Sequence, residues 1–295
     1  IMYNIILPVV YKDYSFLKLT LRSLCKYLKP KKIFIITDIR MSRYLPNDIK
    51  DNTLCEVIDE NRLLEGLTYQ AVDGILKSQG RKYSKAGWYF QQFLKMGFAL
   101  SSYCDEDYYL SWDADTILLK NIDFFDETGL PFFTMKTEYH KPYFDSLEKL
   151  LNIKKTNTKS YIAEHMMFNR GIMMELIEAI NKSNVSGNTW YEKILNSIVP
   201  ETISANAFSE FETYGSYCKV HHPNKYKERQ LPSFRKAALI QGRLVSDRIL
   251  NELSQDVCIA SFEIYERPPF PWGVICSCYE KITNYKALII RKFIK

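Results

Sequence analysis

Glycine and proline are both scarce in this sequence, with 11 of each among 295 residues. A chain with so few turn-forming residues is not expected to be dominated by loops or disorder. The sequence also lacks the two glycine-rich phosphate-binding signatures, G-x-G-x-x-G and G-x-x-x-x-G-K-S/T. Their absence argues against a dinucleotide-binding fold and against a P-loop.

Long hydrophobic runs are absent as well. No segment approaches the ~20 apolar residues of a membrane-spanning helix, and the apolar run at residues 5–10 lacks the basic leader of a signal peptide. The seven cysteines form no metal-type cluster, because Cys276 and Cys278 do not have C-x-x-C spacing. Four others have apolar neighbours and are predicted to be small core residues in a reducing, cytoplasmic compartment. These four are Cys25, Cys55, Cys104 and Cys258.

The excess of positive charge is small, with a net charge of +6 and a pI near 8.7. This balance does not by itself indicate nucleic-acid binding, and we expect no nucleic-acid partner. It would favour an anionic nucleotide or the approach to an anionic membrane. We interpret most of the basic clusters as solvated faces. They are Lys26, Lys29, Lys31 and Lys32; Lys154, Lys155 and Lys159; and Lys225, Lys227 and Arg229.

The chain begins with a pattern that predicts a βαβ unit. An apolar strand is expected at residues 3–10, a helix capped by Asp13 or Ser15 up to about residue 28, and a second apolar strand at residues 32–37. Such units form parallel sheets, which bind ligands at the carboxyl ends of their strands. Pro8, Val9 and Asp38 fall at such ends and are candidates for donor binding. Asp38 could accept a hydrogen bond from a ribose or base, or simply form a turn.

The chain is organised around residues 107–116, where an apolar strand runs into Asp113-Ala114-Asp115. In an extended chain, side chains at i and i+2 point the same way, so Asp113 and Asp115 should project together. Neighbouring carboxylates repel each other unless a proton or cation intervenes. Mn²⁺ and Mg²⁺ prefer such oxygen ligands and bridge to phosphates. The alternative is a strand that ends in a solvated turn.

A helix is predicted from Trp88. Trp88, Gln91, Gln92 and Lys95 are spaced so that they share one face. A purely solvated face would more often carry Glu and Lys, so we expect this face to contact a ligand. Lys95 is the candidate for pairing with a diphosphate.

The next candidates lie further along the chain. Residues 154–160 are polar and basic and are predicted to form a mobile lid or a boundary loop. Glu164 and His165 precede an apolar strand and could hydrogen-bond a sugar, or could be a structurally satisfied pair. Glu210 and Glu212 follow a capping serine, Ser209, and are either dipole-favoured carboxylates of a helix or a base or acceptor ligand.

Other elements complete the pattern. Helices are expected at residues 171–181, 190–198 and 243–255, partial helix at 63–76, and a strand at 257–262. His221 and His222 are predicted to lie in a strand, where adjacent side chains point to opposite faces, so either one could be a metal ligand. The proline- and aromatic-rich residues 266–272 are expected to fold over an open edge or pocket.

These residues together resemble a GT-A-fold glycosyltransferase. The resemblance rests on the βαβ start, the Trp88 helix and the strand that ends at Asp113-Ala114-Asp115, and it covers most of residues 1–222. The stretches at residues 164–165 and 209–215 are similar to a little-characterised bacterial family of such enzymes, associated with surface polysaccharides such as capsule or O-antigen. The resemblance implies an α/β, Rossmann-like fold with a mostly parallel sheet flanked by helices. It also implies a catalytic domain at residues 1–222 and an acceptor-side C-terminal extension at residues 223–295, packed on the same domain.

The resemblance further implies roles for individual residues. Asp115 would bind Mn²⁺ or Mg²⁺, Asp113 would contact the metal or the ribose, and His221 or His222 would be a further metal ligand. Glu210 or Glu212 would deprotonate the acceptor in an inverting reaction. The expected partners are a nucleotide-sugar, with a UDP-sugar favoured, and a saccharide or lipid-linked acceptor.

Only one of the two glutamates can face a site, because residues two apart on a helix point about 160–200° from each other. We choose Glu210 as the base and assign Glu212 to acceptor binding or to support of the helix.

Three alternative functions are compatible with parts of the sequence. One is a retaining transferase on the same fold. A nucleotidyltransferase would normally carry a glycine-rich loop after its first strand, but residues 8–15 contain no glycine. A degenerate, carbohydrate-binding scaffold is disfavoured by the intact Asp113 and Asp115.

The last fifteen residues mix basic and apolar side chains, which predicts either a helix docked on the domain or a tail on the inner face of an anionic membrane. The residues are Lys281, Ile282, Lys286, Leu288, Ile289, Ile290, Arg291, Lys292, Phe293, Ile294 and Lys295.

Overall fold

The computed structural model describes residues 1–80, 85–155, 158–198, 206–285 and residue 289. The strands are β1 (Asn4–Pro8), β2 (Ile33–Thr37), β3 (Cys55–Asp59), β4 (Tyr108–Trp112), β5 (Thr116–Leu118), β6 (Phe132–Thr134), β7 (His165–Asn169), β8 (Lys227–Arg229), β9 (Ser233–Phe234) and β10 (Ile259–Ser261). The α-helices are α1 (Tyr14–Tyr27), α2 (Asn47–Lys50), α3 (Tyr69–Ser78), α4 (Ala86–Gly97), α5 (Lys141–Leu151), α6 (Arg170–Lys182), α7 (Trp190–Ser197), α8 (Glu210–His221), α9 (Ala237–Gln241), α10 (Asp247–Asp256) and α11 (Trp272–Thr283).

The chain forms two compact units, each built from three segments. The first unit comprises Ile1–Tyr3, Glu60–Ser111 and Phe124–Gln230. The second unit comprises Asn4–Asp59, Trp112–Asp123 and Leu231–Lys295.

In the second unit, β1, β2 and β3 pair in parallel, with Ile5 opposite Ile33 and Ile33 opposite Cys55. Every residue of β1 and β2 is buried, as expected for strands covered on both faces. A smaller sheet places β10 between β5 and β9, antiparallel to β5 and parallel to β9. A hydrophobic core of the second unit contains residues from all three segments of that unit. They are Phe16, Ile117, Leu119, Ala237, Ala238, Ala260 and Phe262.

In the first unit, β7 lies beside β4, and β6 pairs in parallel with β8. Helices α3 to α8 bury an aromatic core in which Phe93 contacts Trp190 edge-on, with ring centroids 5.5 Å apart. Phe168 contacts Tyr214 in the same way at 4.8 Å. Such edge-to-face pairs add to the stability that burial of the rings provides.

The predicted α/β class with a mostly parallel central sheet flanked by helices is confirmed. The βαβ start, the helix that contains Trp88 and the strand before Asp113 all form close to their expected bounds. No helix in the described ranges has the length and apolar character that crossing a membrane would require.

Several local predictions are wrong. His221 and His222 are the last residue and the C-cap of α8 and do not lie in a strand. The helix expected at residues 243–255 begins only at Asp247, behind the cap Ser246. A separate helix, α9, precedes it and ends at Gln241, where Gly242 takes a positive φ of 68°. Cys25 is exposed and is not a core residue. By contrast, the partial helix expected at residues 63–76 is confirmed, because α3 begins at Tyr69 behind the cap Thr68.

Some expectations concern residues beyond the described ranges. These are the start of the Trp88 stretch at residues 81–84, part of the 154–160 loop at residues 156–157, and the tail at residues 286–288 and 290–295. The division of the chain at residue 222 stays a prediction.

Candidate functional site

The Asp113-Ala114-Asp115 triplet follows directly on β4 and forms a tight turn. The Thr116 backbone N–H donates to the Asp113 carbonyl at 3.1 Å, which closes the turn. The extended geometry expected from the sequence is therefore wrong at this point. The expected turning aside of the alanine does occur. Ala114 is buried, and its carbonyl accepts a hydrogen bond from Thr20 Oγ1 at 2.7 Å, while Asp113 and Asp115 both keep partial solvent exposure.

The C-terminal segment of the second unit holds this turn in place. The Phe262 backbone N–H donates to the Asp115 carbonyl at 2.9 Å. One residue further, the hydroxyls of Thr116 and Ser261 are 2.8 Å apart. Because both bonds involve groups fixed by the β5–β10 pairing, the backbone at Asp115 is set by residues about 145 positions away in the sequence.

The acidic turn, by which we mean Asp113 to Asp115, is crowded with negative charge. Burial, together with the nearby Asp13, Asp113 and Glu263 carboxylates, raises the pKa of Asp115 to about 8, while Arg243 opposes this rise. Burial also raises the pKa of Asp13, again against the effect of Arg243. Carboxylates held this close favour a proton or a cation between them.

Asp13 and Arg243 form an ion pair that the sequence did not reveal. Asp13 was expected only to cap α1, but its carboxylate makes no capping hydrogen bond and instead accepts one from Arg243 Nη2 at 2.8 Å. The Arg243 side chain is only 3% exposed, and its guanidinium lies 4.6 Å from the centre of the Phe16 ring. The sequence does not indicate this role for Arg243, because residues 243–255 are predicted to form a helix.

The other donor-site candidates of the second unit lie at strand ends, as expected. Pro8 and Val9 are buried at the end of β1, where the Val9 N–H donates to the Ile36 carbonyl at 2.8 Å. Asp38 follows β2 and accepts hydrogen bonds from the Arg40 side chain at 2.7 to 3.2 Å and from its backbone N–H. Asp38 thus forms a local turn, and its contact with a ribose or base stays a prediction.

In the first unit, three of the candidates lie together. Lys95 Nζ donates to Glu210 Oε1 at 2.8 Å, and their side chains are 10% and 6% exposed. Gln92 Oε1 accepts a hydrogen bond from the Glu210 backbone N–H at 3.1 Å. The Gln92–Lys95 side of α4 is therefore buried against the start of α8 and is not a solvated face. Trp88 and Gln91 are partly exposed.

Glu212 is fully committed to contacts inside the first unit. Its carboxylate pairs with Lys155, accepts the Tyr161 backbone N–H at 2.9 Å and accepts Ser216 Oγ at 3.2 Å. The predicted cap is confirmed, because Ser209 Oγ accepts the Glu212 N–H at 3.2 Å. Lys155 was assigned to a solvated, mobile loop, but its side chain is only 8% exposed because it pairs with Glu212.

Glu164 and His165 are both buried in the first unit. His165 Nε2 lies 3.1 Å from Thr134 Oγ1, and Lys136 Nζ lies 3.6 Å from Glu164 Oε2. Burial, with Arg229 and Lys136 nearby, lowers the pKa of His165 well below its usual value. The imidazole is therefore neutral at pH 7.

The two late histidines lie at the end of α8. His221 is exposed, and His222 Nε2 is 2.7 Å from Glu175 Oε2. Throughout the described ranges, no group of three or more His, Cys, Asp or Glu residues is arranged to hold a metal ion. A cation at the acidic turn would thus take two carboxylates from this part of the chain, and its other ligands from a bound phosphate and water, as Mg²⁺ commonly does.

The fold and the acidic turn define an α/β protein with paired carboxylates at a strand end. The chain belongs to DUF6492, a family of unknown function whose model matches residues 3–232. A search of curated proteins finds no match.

Three solved structures illustrate what the chain is similar to. Mouse xyloside xylosyltransferase 1 is 12% identical over 91% of this chain and 100% of its own, with a TM-score of 0.46. Galactosyltransferase LgtC, in complex with donor and acceptor sugar analogues, is 8% identical over 96% and 95%, with a TM-score of 0.45. The bifunctional glycosyltransferase WbbM is 11% identical over 90% of this chain and 46% of its own, with a TM-score of 0.44.

Proposed function

We propose that this protein is a metal-dependent glycosyltransferase that moves a sugar from a nucleotide-sugar to a saccharide or lipid-linked acceptor. The observation that carries the proposal is the acidic turn, where two partly exposed carboxylates follow a strand of a mostly parallel sheet. Sheets of this kind bind ligands at the carboxyl ends of their strands. A nucleotide-sugar needs a counter-charge for its diphosphate, which a cation on these carboxylates would provide.

Mn²⁺ or Mg²⁺ fits the residues of the turn. The carboxylates offer hard oxygen ligands. Burial and then the neighbouring carboxylates raise the pKa of Asp115 to about 8, and a bound cation would relieve the repulsion among these carboxylates. Asp113 and Asp115 would hold the ion, which when bound neutralises charge on a departing nucleoside diphosphate. Pro8, Val9 and Asp38, in the same unit, are proposed to contact the nucleoside.

The first unit supplies the remaining proposed residues. Trp88 and Gln91 keep the exposure that a donor contact needs, whereas Gln92 and Lys95 are occupied with Glu210. A diphosphate could bind Lys95 only if it replaced Glu210, or if the Lys95 amino group contacted both at once.

Other residues of the first unit are proposed to act on the acceptor, to serve as the base, or to bind the metal. Glu164 and His165 are proposed to act on the acceptor indirectly, because both are buried. Glu210 is proposed as the base of an inverting reaction. A metal-binding role for His221 or His222 stays a prediction.

One alternative has specific support. A retaining transferase is favoured by the ion pairs that already occupy both Glu210 and Glu212, because such a reaction need not use either carboxylate as a base. A carbohydrate-binding scaffold would keep the fold without turnover. A nucleotidyltransferase remains more distant, for lack of a glycine-rich loop after β1.

The wider role is also a proposal. A UDP-sugar donor, action in surface polysaccharide synthesis, and a cytoplasmic location at the inner face of the membrane are consistent with the proposed chemistry. They rest on the resemblance and on the basic, apolar C-terminal tail.

Thermal shift with UDP, GDP, CMP and TDP, each with and without Mn²⁺, tests the function. We expect one nucleotide to raise Tm, and to raise it more with Mn²⁺. Asp115→Asn should abolish the Mn²⁺-dependent part while slightly stabilising the free protein, because it removes a carboxylate from a crowded turn. Asp256→Asn, an exposed carboxylate in the same unit, is the control and should behave as wild type.

The proposal fails if no nucleotide shifts Tm under either condition. The assignment of the metal to Asp115 fails if a folded Asp115→Asn variant keeps the full Mn²⁺-dependent shift. Hydrolysis of a panel of nucleotide-sugars by the wild type separates an enzyme from a scaffold.

A further inference from the structure

The backbone next to Arg243 is fixed by close packing. It follows Gly242, whose φ of 68° suits glycine. A Cβ atom at Gly242 would overlap Cys276 Sγ on α11. Trp272 Nε1, also on α11, donates to the Gln241 carbonyl at 2.6 Å. The contacts of Gln241 and Gly242 with α11 therefore fix the backbone that carries the Arg243 guanidinium.

The guanidinium is buried but only partly used. Asp13 takes a hydrogen bond from Nη2, and the Phe16 ring covers one side. Nε and Nη1 are buried and have no hydrogen-bond partner within the described part of the chain. Leaving the buried N–H donors of a charged group without an acceptor is unfavourable. These two nitrogens therefore mark a place for an acceptor that the described part of the chain does not supply.

Arg243 also lies close to the acidic turn. Its guanidinium is 4.6 Å from the centre of the Phe16 ring, the centres of the Phe16 and Phe262 rings are 5.4 Å apart, and the Phe262 backbone N–H donates to the Asp115 carbonyl. Its positive charge opposes the burial and the neighbouring carboxylates that raise the pKa of Asp115. A guanidinium in this position has opposite effects on two kinds of ligand. It repels a divalent cation that binds alone, and it attracts the oxygens of a diphosphate, which it can contact with a planar fork of N–H groups.

We propose that Arg243, oriented by Asp13, sets the charge balance at the acidic turn, so that the site takes a cation together with a diphosphate in preference to the cation alone. The Nε and Nη1 groups, which are without a hydrogen-bond partner in the described part of the chain, donate to a diphosphate oxygen. This inference rests on the proposed function, because it assumes that a nucleoside diphosphate and a divalent cation meet at this turn. Arg243 lies beyond residues 3–232, which the family model matches, so the inference gives the C-terminal segment a part in donor binding.

The test measures two affinities separately. Binding of Mn²⁺ alone is followed by the electron paramagnetic resonance signal of free Mn²⁺, and binding of UDP at saturating Mn²⁺ by calorimetry, with GDP, CDP and TDP in parallel. Arg243→Met should tighten binding of Mn²⁺ alone on the order of ten-fold, because a like charge is removed. It should weaken nucleoside diphosphate binding on the order of 10- to 100-fold, because charge-assisted hydrogen bonds are lost.

Arg243→Lys separates charge from geometry. It keeps the positive charge, so the affinity for Mn²⁺ alone should stay near wild type, but it loses the fork, so diphosphate binding should weaken several-fold. This variant also keeps the test decisive if Arg243→Met fails to fold. Arg248→Met, on the exposed face of α10 where its side chain is 87% exposed, is the matched control and should change neither affinity.

Opposite shifts of the two affinities in Arg243→Met support the inference. Parallel loss of both, or no change in either, overturns it, because a merely structural arginine would not separate cation from anion. Unchanged diphosphate binding in Arg243→Lys also overturns it. If wild-type protein binds none of the four nucleoside diphosphates, the proposed function itself fails, and that outcome is visible before any variant is measured.

Discussion

Glu210 and Glu212 open helix α8, and each carboxylate already pairs with a lysine. Lys95 holds Glu210 and Lys155 holds Glu212, with all four side chains at most 10% exposed. Removing one member of a buried ion pair leaves an uncompensated charge and destabilises the fold by about 3–5 kcal/mol. At the scale of single residues, a catalytic role and a structural role therefore have to be separated by experiment.

The base assignment predicts that Glu210→Gln loses transfer on the order of 10²–10⁴-fold. Nucleotide affinity should stay near wild type, because the change removes a proton acceptor and keeps the side-chain shape. The product should have inverted anomeric configuration by NMR.

Lys95→Met serves as the comparison, because it breaks the same ion pair and leaves the carboxylate in place. If both variants lose kcat equally while nucleotide affinity stays near wild type, the pair is structural and Glu210 is not the base. A product with retained configuration would move the retaining alternative into first place.

Helix α8 is buried along most of its length in the first unit. All residues from Glu210 to Cys218 are buried, so no side of the helix faces water over these two turns. The close approach is possible because residue 215 is glycine. A Cβ atom there would overlap the Tyr161 ring, with Cδ1 and Cδ2 both at 2.6 Å. The Glu212 contacts and the Tyr161 ring thus fix the start of α8 together.

Gly215→Ala is expected to destabilise the protein by about 1–3 kcal/mol, because the added methyl group has no room against a buried ring. Gly74→Ala is the matched control. Gly74 lies in α3 with nothing within 4 Å of its added Cβ, so alanine there should stabilise by about 0.5–1 kcal/mol. Urea unfolding measures both changes. Equal stability of the two variants would show that α8 can move away from Tyr161.

At the scale of the whole molecule, the second unit depends on residues far apart in the sequence. Phe16 and Ile117 share one core with Ala238 and Phe262. The C-terminal residues 231–262 therefore complete this unit, and they are not a separate appendage to it. The same segment supplies the hydrogen bond to Asp115 and the guanidinium of Arg243.

Membrane contact is predicted from the end of the chain. Ile275, Tyr279 and Ile282 are all exposed and spaced so that they lie on one face of α11, and basic residues follow them in the sequence. An apolar face beside positive charge favours an anionic lipid surface. Wild-type protein should float with anionic vesicles and not with neutral ones, and Ile282→Asn or deletion of residues 286–295 should reduce recovery.

Val220→Asn is the control for that assay, because Val220 is a similarly exposed apolar residue in the first unit. It should leave flotation unchanged. Equal recovery with neutral and anionic vesicles, or no loss on deleting the tail, would count against membrane contact.

The α/β class, the first βαβ unit and the place of Asp113 and Asp115 at a strand end could all be predicted from the amino-acid sequence. Those features follow from local patterns, since apolar periodicity and capping residues act over a few positions. The folded chain was needed to show that Lys95 pairs with Glu210, that Lys155 pairs with Glu212, and that Arg243 pairs with Asp13 from 230 residues away. Charged groups pair with groups that are close in space, and burying a charge is costly unless it is paired. No local pattern in the sequence carries that information.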